Sequence, residues 1–277
     1  MACDRGWLGL GRAAWKGLIL GLLVLGTGCV TTVEPHPPVQ LEIAGSTSMQ
    51  PLLEELAGAY TARYDYVSID IQGRGTRLGL EALRDGATDI ALASRELASE
   101  EGEGLEGVVI AHDAIAVLVN EGNPVQSLTI EQVRDLFSGD IVAWSEVGGE
   151  EEDVQVLSRE DGSGTRQAFE ESVMQGRRVT LTAIVVPGNS AVGDFVAENV
   201  ATIGYASSVG VPLGARALSI DGAAPDLQAL TQGEYPLTRP FVLVTAQNPG
   251  EDVQAFVDFV LSPAGQVIVG RKYGRAR

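Results

Sequence analysis

The run Ser158-Arg159-Glu160-Asp161-Gly162-Ser163-Gly164-Thr165-Arg166 gathers two guanidinium groups, two carboxylates, three hydroxyls and two glycines in nine residues. It follows an apolar stretch (Val154, Val156, Leu157) and precedes a helical pattern that reaches Met174. These groups suit an anion. Arginine offers an oxyanion a bidentate fork. Glycines let the backbone approach closely, and a helix start supplies unpaired N–H groups and a partial positive charge. Arg159 stands two residues from Asp161, close enough for that acid to orient the guanidinium.

Three further loops share this grammar of strand end, small residues and helix start: Gly45-Ser46-Thr47-Ser48, Gly73-Arg74-Gly75-Thr76 and Ala93-Ser94-Arg95. A single loop of this kind is most simply a set of helix caps. Four on one chain are harder to dismiss as caps alone. Arg74, Arg77 and Arg166, taken singly, read as solvated charges. So do the acid runs Glu100-Glu101 and Glu150-Glu151-Glu152-Asp153, while Trp144, Phe256 and Phe259 read as core.

The elements that must carry these loops alternate from Leu41 onward. "LEIAG" and "VSIDIQG" have the period of strands, and Leu52, Leu53, Leu56 and Tyr60 share one face of a helix opened by Pro51. "DIALAS", "HDAIAVLVN", "AIVV", "TIGYAS" and "PFVLVT" supply further strands, with helices between them. Thr129 and Gln132 form a capping box for "IEQVRDLF". Such alternation predicts α/β layers with largely parallel sheets.

Composition excludes several chemistries. The 277 residues carry a formal net charge of −18, which argues against a nucleic-acid partner. The lysines are Lys16 and Lys272 alone. No nucleotide P-loop pattern occurs, and Gly162-Ser163-Gly164 is not the nucleophile elbow of a hydrolase. No motif organises a metal or a cofactor, and binding fits better than catalysis.

Residues 1–28 have a basic front (Arg5, Arg12, Lys16), a short apolar core and small residues before Cys29. This is the layout of a secretory signal. It resembles a bacterial lipoprotein signal with Cys29 as the lipidated residue, although Gly26 stands where an aliphatic residue is usual. Its removal also takes Cys3, so no intrachain disulfide is expected, and only His36 and His112 remain as imidazoles. Residues 29–40, rich in proline, read as an extended tether.

"AGSTSMQPLLEELAGAY", "QGRGTRLGLEALRDGATDIALASREL", "LTIEQVRDLFSGDIVAW", "REDGSGTRQAFEE", "ATIGYAS" and "YPLTRPFVLVT" occur in this order, followed by "VQAFVDFVLSPAGQVIV". Together they resemble the substrate-binding proteins of bacterial phosphate ABC transporters, the Pst type, from Leu41 to about Tyr273. The resemblance implies a type II periplasmic-binding-protein fold. In it two α/β lobes, each a mainly parallel sheet flanked by helices, are joined by two crossing strands and close over a dehydrated phosphate. It places lobe 1 at 41–115 and 240–277 and lobe 2 at 116–239, with "HDAIAVLVN" and "RPFVLVT" as the crossings. Phosphate would be bound by Thr47, Ser48, Thr76, Ser94, Arg95, Arg159, Ser163, Gly164 and Thr165, with Asp161 holding Arg159. The chain would be a monomeric, lipid-anchored, extracytoplasmic receptor serving a membrane permease and its ATPase, without enzymatic activity.

Phosphate keeps a proton near neutral pH and sulfate does not, so a buried acceptor would separate them. Some members of the family carry an aspartate where this chain reads Ser94-Arg95. That leaves Asp161 or Asp89 as the acceptor. Sulfate, molybdate or arsenate therefore stand as alternative ligands, and a phosphate sensor or a phosphoester hydrolase as alternative functions. The C-terminal "GRKYGRAR" also lacks the family's apolar ending.

Overall fold

The computed structural model describes residues 36–276, so the signal at 1–28 and Cys29 lie outside the described residues. In chain order the elements are β1 (Val39–Gly45), α1 (Gln50–Thr61), β2 (Val67–Gly73), α2 (Thr76–Arg84), β3 (Ile90–Ala93), β4 (Leu105–Asn120) and β5 (Ser127–Leu128). Next come α3 (Ile130–Ser138), β6 (Gln155–Arg159), α4 (Gly164–Phe169), β7 (Ile184–Val186), α5 (Asn189–Glu198) and β8 (Thr202–Ser207). The chain continues through β9 (Ala215–Ala217), β10 (Ser219–Ile220), α6 (Leu227–Gln232) and β11 (Thr238–Ala246) to α7 (Glu251–Leu261), α8 (Pro263–Val269) and β12 (Gly274–Arg275). A π-helical turn, Glu170–Met174, prolongs α4. The tether expected to reach residue 40 gives way to β1 at Val39.

The main sheet runs β2-β1-β3-β11-β4-β8-β6-β7. Its outer pairs are parallel, as the alternation predicts. Its middle is not: β11 pairs antiparallel with β3 and with β4, and β4 antiparallel with β8. "VVIAHDAIAVLVN" forms the single long strand β4, which contributes to both ends of the sheet.

Apolar packing divides at these central strands. One core joins Leu52, Leu53, Leu56 and Tyr60 of α1 to Ile43, Leu92, Ile110, Phe241, Leu243 and Phe256. The predicted face of α1 is thus the buried one. Leu80 and Leu83 of α2 cover the opposite face of this end of the sheet, against Ala91, Ala93, Val242 and Val244. A second core collects Ile115, Val117, Phe137, Trp144, Phe169, Ile203 and Tyr205, and α5 covers the other face there with Val192 and Val196. Burying each large apolar side chain contributes roughly 1.5–3 kcal/mol. The capping box of α3 is formed, Gln132 N donating to Thr129 Oγ1 at 3.1 Å and Thr129 N to Gln132 Oε1 at 2.9 Å.

Where β4 and β11 pass from one core to the other, Asp113 and Arg239 stand opposite each other in register. Both are buried. Arg239 donates to Asp113 Oδ2 from Nε (3.0 Å) and Nη2 (2.7 Å), while Ser207 Oγ donates to Oδ1 (2.8 Å). Burial raises the Asp113 carboxyl and lowers the Arg239 guanidinium, and the attraction between them opposes both shifts. Neither charge could stay there alone. Asp113→Ala should therefore lower unfolding stability by about 3–5 kcal/mol in urea denaturation, the range for stranding one buried charge; a loss under about 1 kcal/mol would contradict this account of the crossing.

Candidate functional site

Four loops at strand ends meet in one cluster, beginning with the turn after β1. Gly45, with φ +144°, accepts from Arg74 N and Gly75 N on its carbonyl, both at 2.8 Å, and a β-carbon there would strike the backbone of Leu92. That joins the loops after β1, β2 and β3. Ser46, Ser48, Thr76 and Ser94 are all buried within the junction. Ser46 Oγ donates to Ser94 Oγ at 2.8 Å and lies 2.9 Å from Ser48 Oγ. Ser94 N donates to Thr76 Oγ1 at 3.3 Å.

The loop after β6 closes the cluster from the other end of the sheet. Ser163 caps α4 by accepting from Arg166 N at 3.3 Å. The N–H groups of Gly164 and Thr165, the first two helical residues, precede the first intrahelical donors. Gly164 is required by contact as well: a β-carbon there would overlap Thr76 Oγ1 and come within 2.6 Å of Ser94 Oγ. Arg77 N, in α2, donates to Gly162 O at 3.1 Å.

Arg159 ends β6 and is 1% exposed. Its Nε and Nη2 donate to the two oxygens of Glu160, each at 2.8 Å, and Nη2 also donates to Thr47 Oγ1 at 3.2 Å. Its Nη1 is buried and has no partner within the protein. Thr47 Oγ1 accepts in addition from Asn189 N at 3.1 Å. Behind Arg159, Tyr205 OH accepts from the Arg159 backbone N at 3.4 Å, and its ring stacks on Phe169 with centroids 4.0 Å apart. A rigid wall thus holds the strand end from which the guanidinium projects.

Three sequence-based assignments need correction. Arg159 is oriented by Glu160, not by Asp161, which is exposed. Both acids are near in sequence, but β6 ends at Arg159 and it is the adjacent Glu160 that reaches back to the guanidinium. Asp89 accepts from Glu42 N at 2.8 Å at the start of β3. At roughly 3.3 Å per residue it lies on the order of 16 Å along the strand from Ser94. Arg95 is buried, but Nη1 and Nη2 go to Glu101 at 2.7 Å each, and Nη1 also goes to the Glu96 carbonyl at 2.8 Å. It is pinned beside the cluster. Glu101, read as surface charge, is its partner, held below the usual carboxylate range by that hydrogen bond.

Thr47, Ser48, Thr76, Ser94, Arg159, Ser163, Gly164 and Thr165 are brought together. Ser46, Glu160 and Asn189 join them without having been singled out. Ser46 was discoverable, since it lies inside the Gly45–Ser48 loop; Asn189, 30 residues beyond Arg159 in sequence, carried no signal. What results is a set of donors: a guanidinium, several hydroxyls and the N–H groups of a helix start, in a water-poor setting. It suits a small tetrahedral oxyanion. Among the described residues no group of three or more His, Cys, Asp or Glu could hold a metal ion.

Comparison with known proteins follows the same line. A family model described as a PBP superfamily domain matches residues 32–264. The chain is 30% identical over 203 residues to a phosphate-binding protein PstS of Bacillus subtilis, covering 71% of this chain and 67% of that one. It is 26% identical over 269 residues to a phosphate-binding protein PstS of Borreliella burgdorferi, covering 92% and 96%. Among solved structures, a putative phosphate ABC transporter substrate-binding protein from Clostridium perfringens, with bound phosphate, superposes with a TM-score of 0.83 at 36% identity, covering 86% of this chain and 100% of that one. An ABC-type phosphate transport receptor from Vibrio cholerae gives 0.71 at 31% identity, covering 85% and 99%.

Burial acts to raise the Glu160 carboxyl, but the hydrogen bonds and charge of Arg159, with the Gly188 N–H, outweigh it and hold the group below its ordinary value. A depressed carboxylate contributes fully above its unfolded pKa and is lost as pH falls through the folded one. The clamp on Arg159 therefore persists as pH falls into the ordinary carboxylate range and loosens only in stronger acid. Glu160→Gln should weaken anion binding about tenfold to a hundredfold at neutral pH, the scale of a charge-assisted hydrogen bond. Asp161→Asn should change it less than about threefold. Titration calorimetry of both variants checks the pair, and equal losses would restore Asp161 to the role.

Proposed function

Since the chain belongs to the PBP superfamily and, within it, to the PstS-type phosphate-binding proteins, we propose that it is an extracytoplasmic receptor that captures inorganic phosphate and hands it to an ABC permease. The observation that carries this reading is Arg159. Its guanidinium is buried, fixed by Glu160 through Nε and Nη2 and by Thr47 Oγ1 through Nη2, with Nη1 left unpartnered. A dianion supplies the acceptors that this nitrogen lacks, at the place where water has been excluded and hydrogen bonds to charge count most.

Capture is a matter of donors brought to one point. Thr76 Oγ1 accepts from Ser94 N and keeps its own proton for the ligand. The Gly164 and Thr165 N–H groups add the field of a helix start. Thr47 and the Arg77–Gly162 bond span the two ends of the sheet, so they hold the closed form in which the anion is enclosed. On this reading the two apolar cores are two lobes, at about 41–115 with 240–277 and at 116–239. The Asp113–Arg239 pair lies at the pivot between them. Distant carboxylates are screened within about 8 Å at physiological salt, so the acidic surface slows encounter without opposing the bound state.

The receptor is a monomer anchored to the membrane through lipid on Cys29. It works with permease and ATPase subunits and performs no chemistry on its ligand. Sensing without transport, or hydrolysis of a phosphoester, would make the same site serve another end; a chromogenic phosphatase assay separates the latter.

Titration of the purified protein with phosphate, in phosphate-free buffer near pH 7.5, should show tight one-to-one binding. Arg159→Ala should remove it while leaving the circular-dichroism spectrum unchanged; retained affinity would sink the assignment. Gly164→Ala should cost about a hundredfold or more, because its methyl group occupies the place of the Thr76 and Ser94 hydroxyls and holds the cluster open.

A further inference from the structure

We infer that the bound anion's proton is accepted by a chain of three serine hydroxyls, Ser48–Ser46–Ser94, and not by a carboxylate, so that the site discriminates only modestly between phosphate and sulfate. The inference rests on the reading of the cluster as a phosphate site.

The carboxylates on the loops around the cluster are committed elsewhere. Glu160 Oε1 takes Arg159 Nη2, and its Oε2 takes Arg159 Nε and Gly188 N. Asp113 receives Ser207 on one oxygen and Arg239 on the other. Glu101 receives Arg95 on both. Asp89 is at the far end of β3, and Asp161 faces solvent. The group beside Ser94 is Arg95, already neutralised by Glu101.

Hydroxyl protons can be counted instead. Ser46 has one and spends it on Ser94 at 2.8 Å. Its 2.9 Å contact with Ser48 must then be donated by Ser48. Ser48 Oγ is left with lone pairs to offer, and Ser94 Oγ keeps a proton to give. Three hydroxyls joined by two bonds thus present one donor, Ser94, and one acceptor, Ser48. Hydrogen phosphate matches that pair. Sulfate leaves the acceptor end facing a bare oxygen, yet that end is neutral, so sulfate is disfavoured and not repelled by charge.

A site whose buried polar group is left wholly unpaired rejects the wrong ligand by about 10⁴–10⁵-fold. A neutral hydroxyl left without its partner should cost about tenfold to a hundredfold. Calorimetric titration of the purified protein with inorganic phosphate and with sulfate, near pH 7.5, should give a phosphate preference in that lower range. Ser46→Ala divides the chain and lets Ser48 and Ser94 each donate, so the preference should shrink to within a few-fold. Ser46→Thr keeps the hydroxyl and should keep the wild-type ratio. A merely structural loss would weaken both anions together and leave the ratio alone.

A wild-type preference of 10⁴ or more, or an unchanged ratio in folded Ser46→Ala, would overturn the inference while leaving the phosphate reading intact. Failure to bind phosphate at all would overturn the reading and the inference with it. If Ser46→Ala does not fold, the wild-type ratio decides alone.

Discussion

A charged guanidinium taken out of water must be matched by a carboxylate or it will not stay, and three are buried among the described residues. Arg95, Arg159 and Arg239 are 5%, 1% and 3% exposed, and each is held through two nitrogens by a single acid: Glu101, Glu160 and Asp113. The penalty of removing such ions from water is several kcal/mol apiece, which only close hydrogen-bonded pairing offsets. This requirement positions everything else. It fixes the crossing of β4 and β11, the loop after β3, and the strand end from which Arg159 projects.

Two of these pairs, Asp113–Arg239 and Arg159–Glu160, are linked through neutral groups. Asp113 holds Ser207, whose backbone N–H is donated to Asn189 Oδ1; Asn189 N in turn donates to Thr47, which also takes Arg159. Pivot and ligand cluster therefore belong to one hydrogen-bonded network. A shift at the crossing strands reaches the guanidinium through packed polar contacts, without a long-range field. This explains how a chain with 37 acidic and 19 basic side chains builds an anion site. The local donors act at hydrogen-bond range, and the remaining charge lies in solvent.

Much of this was legible in the residues. The strand–helix alternation, the face of α1, the capping box at Thr129 and the hydroxyl-rich loops all follow from local pattern. So does the cluster of Thr76, Ser94, Arg159 and Gly164, because strand ends on one edge of parallel sheets bring their loops together. Partner choice was less legible. Nearness in sequence suggests Asp161 for Arg159, but the strand ends at Arg159 and Glu160, nearer still, turns back to it. Asp89 shares a motif with Ser94 in sequence and is separated from it by the length of β3. Asp113 and Arg239 become neighbours only through a pairing that joins residues far apart in the chain, which no local pattern encodes. Arg95 reads as a ligand donor in sequence, but its Nη1 and Nη2 both go to Glu101.

The position of β3 between β1 and β11 has a consequence for how the molecule is made. Residues 39–93 emerge well before Phe241, Leu243, Phe256 and Val260, which complete their core. At about 5–20 residues per second the ribosome needs on the order of ten seconds to supply them. Through that interval β3 has an open edge and the inner face of α1 lacks part of its cover, whereas the second core assembles mostly from residues that follow one another without interruption. The half that holds β1 to β3 is thus the later to complete its core, and until β11 and α7 arrive it is the part that needs shielding from other unfinished chains.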